Sequence, residues 1–146
     1  MIEINNLTTN PVDEEFFKKV AKIVLEEEKK DGNLSIALIG SGRMKKLNKK
    51  YLGKNRVTDV LAFPEAKAIL KKMQGLGEVV ICLREVKKNA KRYNLTFEKE
   101  LAKVLIHGIL HLSGYNHKKM EEREECYLSK IGHFGEGSGE LISSPV

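Results

Sequence analysis

The sequence predicts a single α+β domain in which a small mixed β-sheet packs against helices. Three observations lead there. Short apolar runs of strand length alternate with segments whose apolar residues recur at helical spacing. At 146 residues the chain is the size of one ordinary domain, and no repeat or linker divides it. Its composition, 41% hydrophobic and 32% charged, is globular rather than disordered or membrane-embedded.

A short apolar opening, IEI, reads as a first strand. Pro11 and Asp13 then precede a helix on which Phe16, Val20, Ile23 and Val24 share a face, with Glu14 and Glu15 in its first turn and Asp31-Gly32 as its stop. Leu34 to Ile39 is a strand, and the Gly-Ser-Gly after it reads as a turn. Met44, Leu47 and Tyr51 line one side of a short basic helix that ends near Gly53. Asp59 to Phe63 is the next strand, closed by Pro64.

Glu65 to Gln74 is open between a mobile connection and a helical turn. Gly77 to Leu83, GEVVICL, is the most strand-like run in the chain. A polar helix follows from about Arg84 to Arg92. Thr96 then offers an N-cap, with Glu98 and Glu100 placed to favour the positive end of the helix behind it. That helix carries Leu101, Val104, Leu105, Ile109 and Leu112 and is apolar enough to be central. Gly114 ends it, and Lys118 to Gly132 is a last helix. The domain is expected over residues 1–134, with the Gly-Ser-rich 135–146 as a flexible tail.

The opening MIEINNLTTN has neither a basic head nor an apolar signal core, and no apolar run approaches the roughly 20 residues of a spanning helix. A cytoplasmic protein without a membrane partner is expected. Cys82, within VVICL, reads as a buried small hydrophobe, and Cys126 gives no signal; neither suggests a disulfide framework. The net charge of +6 is unevenly spread. Arg43 to Arg56 holds seven basic residues (Arg43, Lys45, Lys46, Lys49, Lys50, Lys54 and Arg56) and no acid. KKNAKR, from Lys87 to Arg92, adds four more. Such stretches are either solvated faces or a track for phosphates, and the absence of acids favours the track.

HGILHLSGYNH, from His107 to His117, contains three of the four histidines. On a helix, His107 and His111 lie about 40° apart in azimuth and roughly 6 Å apart along the axis, so both imidazoles can reach one ion. His117 would lie about 15 Å beyond His107 if the helix continued, too far for a shared ion. Gly114 sits where a left-handed residue would reverse the chain and return it. Three imidazoles suit zinc, and by ligand type also nickel, copper or iron. With no cysteine or further histidine at ligand spacing, a coordination position stays open for a reactant, as in catalytic zinc sites. The acids of EEREE (Glu121 to Glu125) could supply a ligand but read more readily as a solvated helix face, and His133 reads as an ordinary surface residue.

A zinc peptidase of the HExxH type places its general base directly after the first histidine. Gly108 occupies that position and disfavours peptide hydrolysis. Phosphodiester cleavage demands less, because a metal polarises the phosphoryl oxygen itself.

The histidine block, together with LNKKYLGKNRVTDVLAFP (Leu47 to Pro64) and LGEVVIC (Leu76 to Cys82), resembles the YbeY family of metal-dependent endoribonucleases. The resemblance implies zinc held by His107, His111 and His117 on a helix like that of the zincin metalloproteases, with no other cofactor. It also implies cleavage of single-stranded RNA, maturation of ribosomal RNA including the 16S 3′ end, and quality control at the small ribosomal subunit. Two positions depart from the family pattern. Asn116 stands where an aspartate is common, and an amide orients a neighbour but is no base at pH 7. Leu52 stands where an arginine tied to activity is often found, leaving Arg56 and Lys54 as substitutes. On this reading Arg56 and the Arg43 to Lys54 track hold the RNA backbone, and Asp59 either orients a water at the metal or is a strand-end residue that caps a turn, the latter being the more ordinary role. The alternatives are a non-catalytic assembly factor whose metal pins the last helix, and, further off, a peptidase-like hydrolase.

Overall fold

The computed structural model describes residues 1–30, 32–64 and 75–138, with the side chains of residues 117 and 132–138 outside that description. The chain opens with β1 (Ile2–Asn6) and α1 (Glu14–Glu27). The Asp13 carboxylate caps α1, accepting from the Glu15 amide at 3.1 Å and the Phe16 amide at 3.4 Å. The helix stops earlier than Asp31-Gly32. Lys29 takes a left-handed conformation (φ 54°), and the Lys30 amide closes onto the Leu25 carbonyl at 3.0 Å.

β2 (Asn33–Ile39) is followed at once by α2 (Ser41–Leu52). The Gly-Ser-Gly expected as a turn is therefore the start of a helix, with Gly40 as its cap. β3 (Val60–Pro64) and β4 (Gly75–Cys82) come next, then α3 (Leu83–Arg92), α4 (Phe97–Leu112) and α5 (His117–Ser138). Leu83 opens α3 rather than ending the strand. α5 runs past Gly132, where the sequence placed its end. Glu65 to Gln74 and residues 139–146 of the expected tail lie outside the described residues.

The sheet has the order β1-β2-β4-β3 and is mixed, as expected. β1, β2 and β4 are parallel, and β3 runs antiparallel to β4 at one edge. A sheet with both faces covered has near-continuous apolar strands, and β2 and β4 read that way. On one face Leu34, Ile36, Leu38, Val79 and Ile81 join Phe17 and Val24 of α1 and Ile106 and Ile109 of α4 in the main core. On the other, Ala37, Ile39, Val80 and the buried Cys82 pack with Met44 of α2. Both cysteines are free, and no described helix is long and apolar enough to cross a membrane.

α4 is the central helix. The Thr96 hydroxyl caps it by accepting from the Lys99 amide at 3.1 Å. Leu105, Ile106, Ile109 and Leu110 are wholly buried, and each contributes about 1.5–3 kcal/mol by leaving water. α4 contacts α1, α3, α5 and both β3 and β4, so its exposed side is narrow and borders the β3 edge.

Candidate metal and nucleic-acid site

That narrow side forms one wall of a cleft of about 980 Å³, with β3 opposite and the ends of α2 and α3 at its rim. His107 and His111 line it from successive turns of α4, their ring centroids 5.2 Å apart. Helix geometry alone accounts for this pairing.

After Leu112 the helix ends at Ser113, and Gly114 is left-handed (φ 81°) with its amide on the His111 carbonyl at 3.2 Å. The reversal predicted at this glycine is therefore present. α5 then begins at His117 and packs back along α4. The His117 side chain lies outside the described residues, as does that of His133. Among the described residues, no group of three or more His, Cys, Asp or Glu side chains converges as a ready ion cage. The described ligand set is the His107–His111 pair.

Asn116 serves α5 rather than the cleft. Its side-chain oxygen accepts from the Lys119 amide at 2.9 Å, and its carbonyl accepts from the Met120 amide at 2.9 Å. It is the N-cap, a role open to aspartate and asparagine alike. It is not among the described residues that line the cleft.

The hairpin of α4 and α5 brings Glu124 to the Nδ1 of His107. Reading EEREE as a solvated face therefore fails at Glu124, whose side chain is only 14% exposed. A carboxylate at Nδ1 holds the proton there and leaves Nε2 as the free lone pair. Carboxylates play this orienting role toward metal-bound histidines. A signal existed: His107 and Glu124 lie at similar distances along the chain from the reversal. A second contact steadies the arrangement. The wholly buried side chain of Glu28, at the end of α1, accepts from Arg123 at 2.9 Å and from the Tyr127 hydroxyl at 2.6 Å. Burial and the Glu28 bond both push the Tyr127 hydroxyl well above its ordinary value, so it stays a donor. Should zinc occupy the His107–His111 pair, exchange of Glu124 for glutamine is expected to weaken its binding by about 10–100-fold with little change in melting temperature. Competition with a chromogenic chelator measures this directly.

Gly108 lines the cleft too, and the structure explains why no glutamate occupies it. A Cβ there would lie 2.7 Å from the Val79 Cγ1 and 3.3 Å from the Val60 Cγ2. α4 sits so close to the sheet at this point that only a hydrogen fits.

Asp59 borders the cleft as anticipated. Its carbonyl accepts from the Cys82 amide at 2.9 Å, and its carboxylate accepts from the Asn89 amide at 3.4 Å and the Thr58 hydroxyl at 3.5 Å. It is thus tied to α3 while facing the open space. The basic track divides differently. Arg43, Lys45, Lys46, Lys49, Lys50, Lys54 and Arg56 are all exposed, as a phosphate track requires, but none lines the cleft itself. Arg56 stands outside, its carbonyl accepting from the Asn48 side-chain amide at 3.0 Å.

Among the described residues, the lysine or arginine that lines the cleft is Lys103 of α4, which sequence reasoning missed. Tyr51 and Leu52 of α2 also line it, exposed by 39% and 57%. Leu52, where the resemblance to the family implies an arginine, is therefore an apolar residue facing the cleft.

Glu100, read from sequence as a dipole-favouring residue, lies within the cleft lining and is only 2% exposed. Burial pushes its carboxyl above the usual carboxylate range; Lys103 lowers it and nearby Asp59 raises it further.

A family model described as Endoribonuclease YbeY matches residues 3–131. The chain belongs to the YbeY family. An Endoribonuclease YbeY of Carboxydothermus hydrogenoformans is 39% identical over 142 residues, covering 90% of this chain and 98% of that one. One from Thermotoga maritima is 36% identical over 124 residues, covering 80% and 79%. The solution structure of TM1509 from Thermotoga maritima is similar at TM-score 0.67 and 30% identity, covering 99% of this chain and 97% of that one. Membership of the YbeY family, read from three sequence blocks, is thereby established, and so is the α+β fold.

Proposed function

We propose that this protein is a zinc-dependent endoribonuclease that cleaves single-stranded RNA and acts in ribosomal RNA maturation, including the 16S 3′ end, and in quality control of the small subunit. The observation that carries the proposal is the pair His107–His111 in the wall of an open cleft, with Glu124 holding the Nδ1 side of His107. The family name borne by its relatives supports the RNA substrate.

Two imidazoles on one helical ridge, with a third histidine at the start of the returning helix, are a donor set that fits zinc. His107, His111 and His117 would hold it. When bound, the ion supplies Lewis-acid polarisation of the scissile phosphodiester. The chain does the rest. Glu124 keeps the His107 proton on Nδ1. The exposed lysines of α2, with Arg43 and Arg56, hold the RNA backbone outside the cleft, and Lys103 meets it inside. Asp59, fixed by Asn89, orients the attacking hydroxyl or water.

Incubation of the purified protein with single-stranded RNA is expected to give internal cleavage that a chelator stops and added zinc restores. Cleavage should weaken as salt rises, because phosphate contacts release counterions. Products ending in 2′,3′-cyclic phosphate would assign the attack to the RNA 2′-hydroxyl rather than to water. A chelator-insensitive activity would overturn the zinc assignment.

Leu52 favours a second reading, a non-catalytic assembly factor whose metal pins α5 to α4. Absence of cleavage by the natural chain, with cleavage appearing in Leu52→Arg, would select it.

A further inference from the structure

The end of the cleft away from the histidines contains a carboxylate with nothing to do. Glu100 is 2% exposed, and its Oε1 has no hydrogen-bond partner among the described residues. Leaving a buried carboxylate oxygen unmade is costly, so a native structure that keeps one has a use for it. The Asn89 amide and the Thr58 hydroxyl on the same cleft lining donate to Asp59.

Two carboxylates at the cleft floor repel phosphate and attract hydrogen-bond donors. Next to them stands Tyr93, 53% exposed and lining the same cleft, with the Lys103 ammonium 5.3 Å from its ring centroid. An exposed ring is a stacking platform for a base of single-stranded RNA. On α4, Glu100 precedes His107 by two turns, about 10 Å along the axis. One nucleotide can bridge from a base edge at Glu100 to a phosphate at the histidines.

We infer that Glu100 and Tyr93 form a base-reading subsite selective for guanine, an inference that rests on the ribonuclease reading. Guanine presents two adjacent donors, N1–H and the 2-amino group, which a carboxylate accepts together. Uracil presents a single N3–H between two carbonyls, and those carbonyls face carboxylate oxygens unfavourably. Hypoxanthine keeps N1–H and lacks the amino group. The subsite therefore ranks guanine first, hypoxanthine second and uracil last.

The test is calorimetric titration of the zinc-loaded full chain with GMP, IMP and UMP. GMP is expected to bind about tenfold more tightly than UMP, with IMP between them. Glu100→Gln keeps the shape but turns an amide donor toward the base, and should bring GMP down to the UMP level. Tyr93→Ala, an exposed change that cannot unfold the core, should weaken all three alike and preserve their ratio. Equal affinities in the natural chain, or no saturable binding, would overturn the subsite, as would a GMP preference untouched by Glu100→Gln. RNA cleavage without base selectivity sinks the subsite alone. GMP selectivity in a chain that cleaves no RNA sinks the nuclease reading alone.

Discussion

Exchange of His111 for alanine is expected to lower single-stranded RNA cleavage by at least about a thousandfold while leaving the fold intact. On the proposed zinc-dependent mechanism the bound ion would contribute several kcal/mol, and each 1.36 kcal/mol is tenfold in rate. Removing one of the three proposed imidazole ligands would cost most of the affinity for the ion. The fold is expected to survive because His111 is exposed on the cleft side of α4, while the core is made by Leu105, Ile106, Ile109 and Leu110 on its other sides. Exposed substitutions away from caps and packed groups usually change stability by under about 0.5 kcal/mol. Cleavage, zinc content by atomic absorption and thermal melting should be read on the same preparation. Undiminished zinc-dependent cleavage by His111→Ala would remove the histidine pair from the mechanism.

The second large effect falls on stability. Glycine-to-alanine exchange within a helix normally stabilises by about 1 kcal/mol through helix propensity. At Gly108 the sign is expected to reverse. The new methyl would lie 2.7 Å from one Val79 methyl and 3.2 Å from the other, and Val79 is itself wholly buried. Overpacking of this kind costs about 1–3 kcal/mol. Gly108→Glu should do more damage, since it forces a carboxylate against the same valine without a partner. It spells HEILH, the peptidase pattern, and should yield a poorly folded chain rather than a peptidase. Urea unfolding measures both variants, and Val79→Ala combined with Gly108→Ala should recover part of the loss. A stabilised Gly108→Ala would show that α4 does not approach the sheet this closely.

At Gly108 the missing side chain and the packing bear on the same point by different routes. Reading only the missing side chain disfavours peptide hydrolysis. The packing against Val60 and Val79 shows that any side chain here would have to displace the sheet's valines. Similarly, Asn116 reads as a weakened version of a family aspartate, whereas the structure makes it the cap of α5, a task an amide performs as well.

Sequence alone determined what is periodic or local. Apolar spacing located the strands and helices, Thr96 announced the cap of α4, and Gly114 marked a reversal that requires positive φ. His107 and His111 needed only the helical pitch to become neighbours. Tertiary structure decided everything that depends on distant segments meeting. It turned Glu124 from a presumed solvent-facing acid into the partner of His107, buried Glu100 beside Asp59, brought Lys103 and Leu52 to the cleft and left Arg56 outside it. The physical reason is that contacts between residues far apart in the chain arise from how helices and strands pack, and packing leaves no repeating mark along the chain for a reader to find.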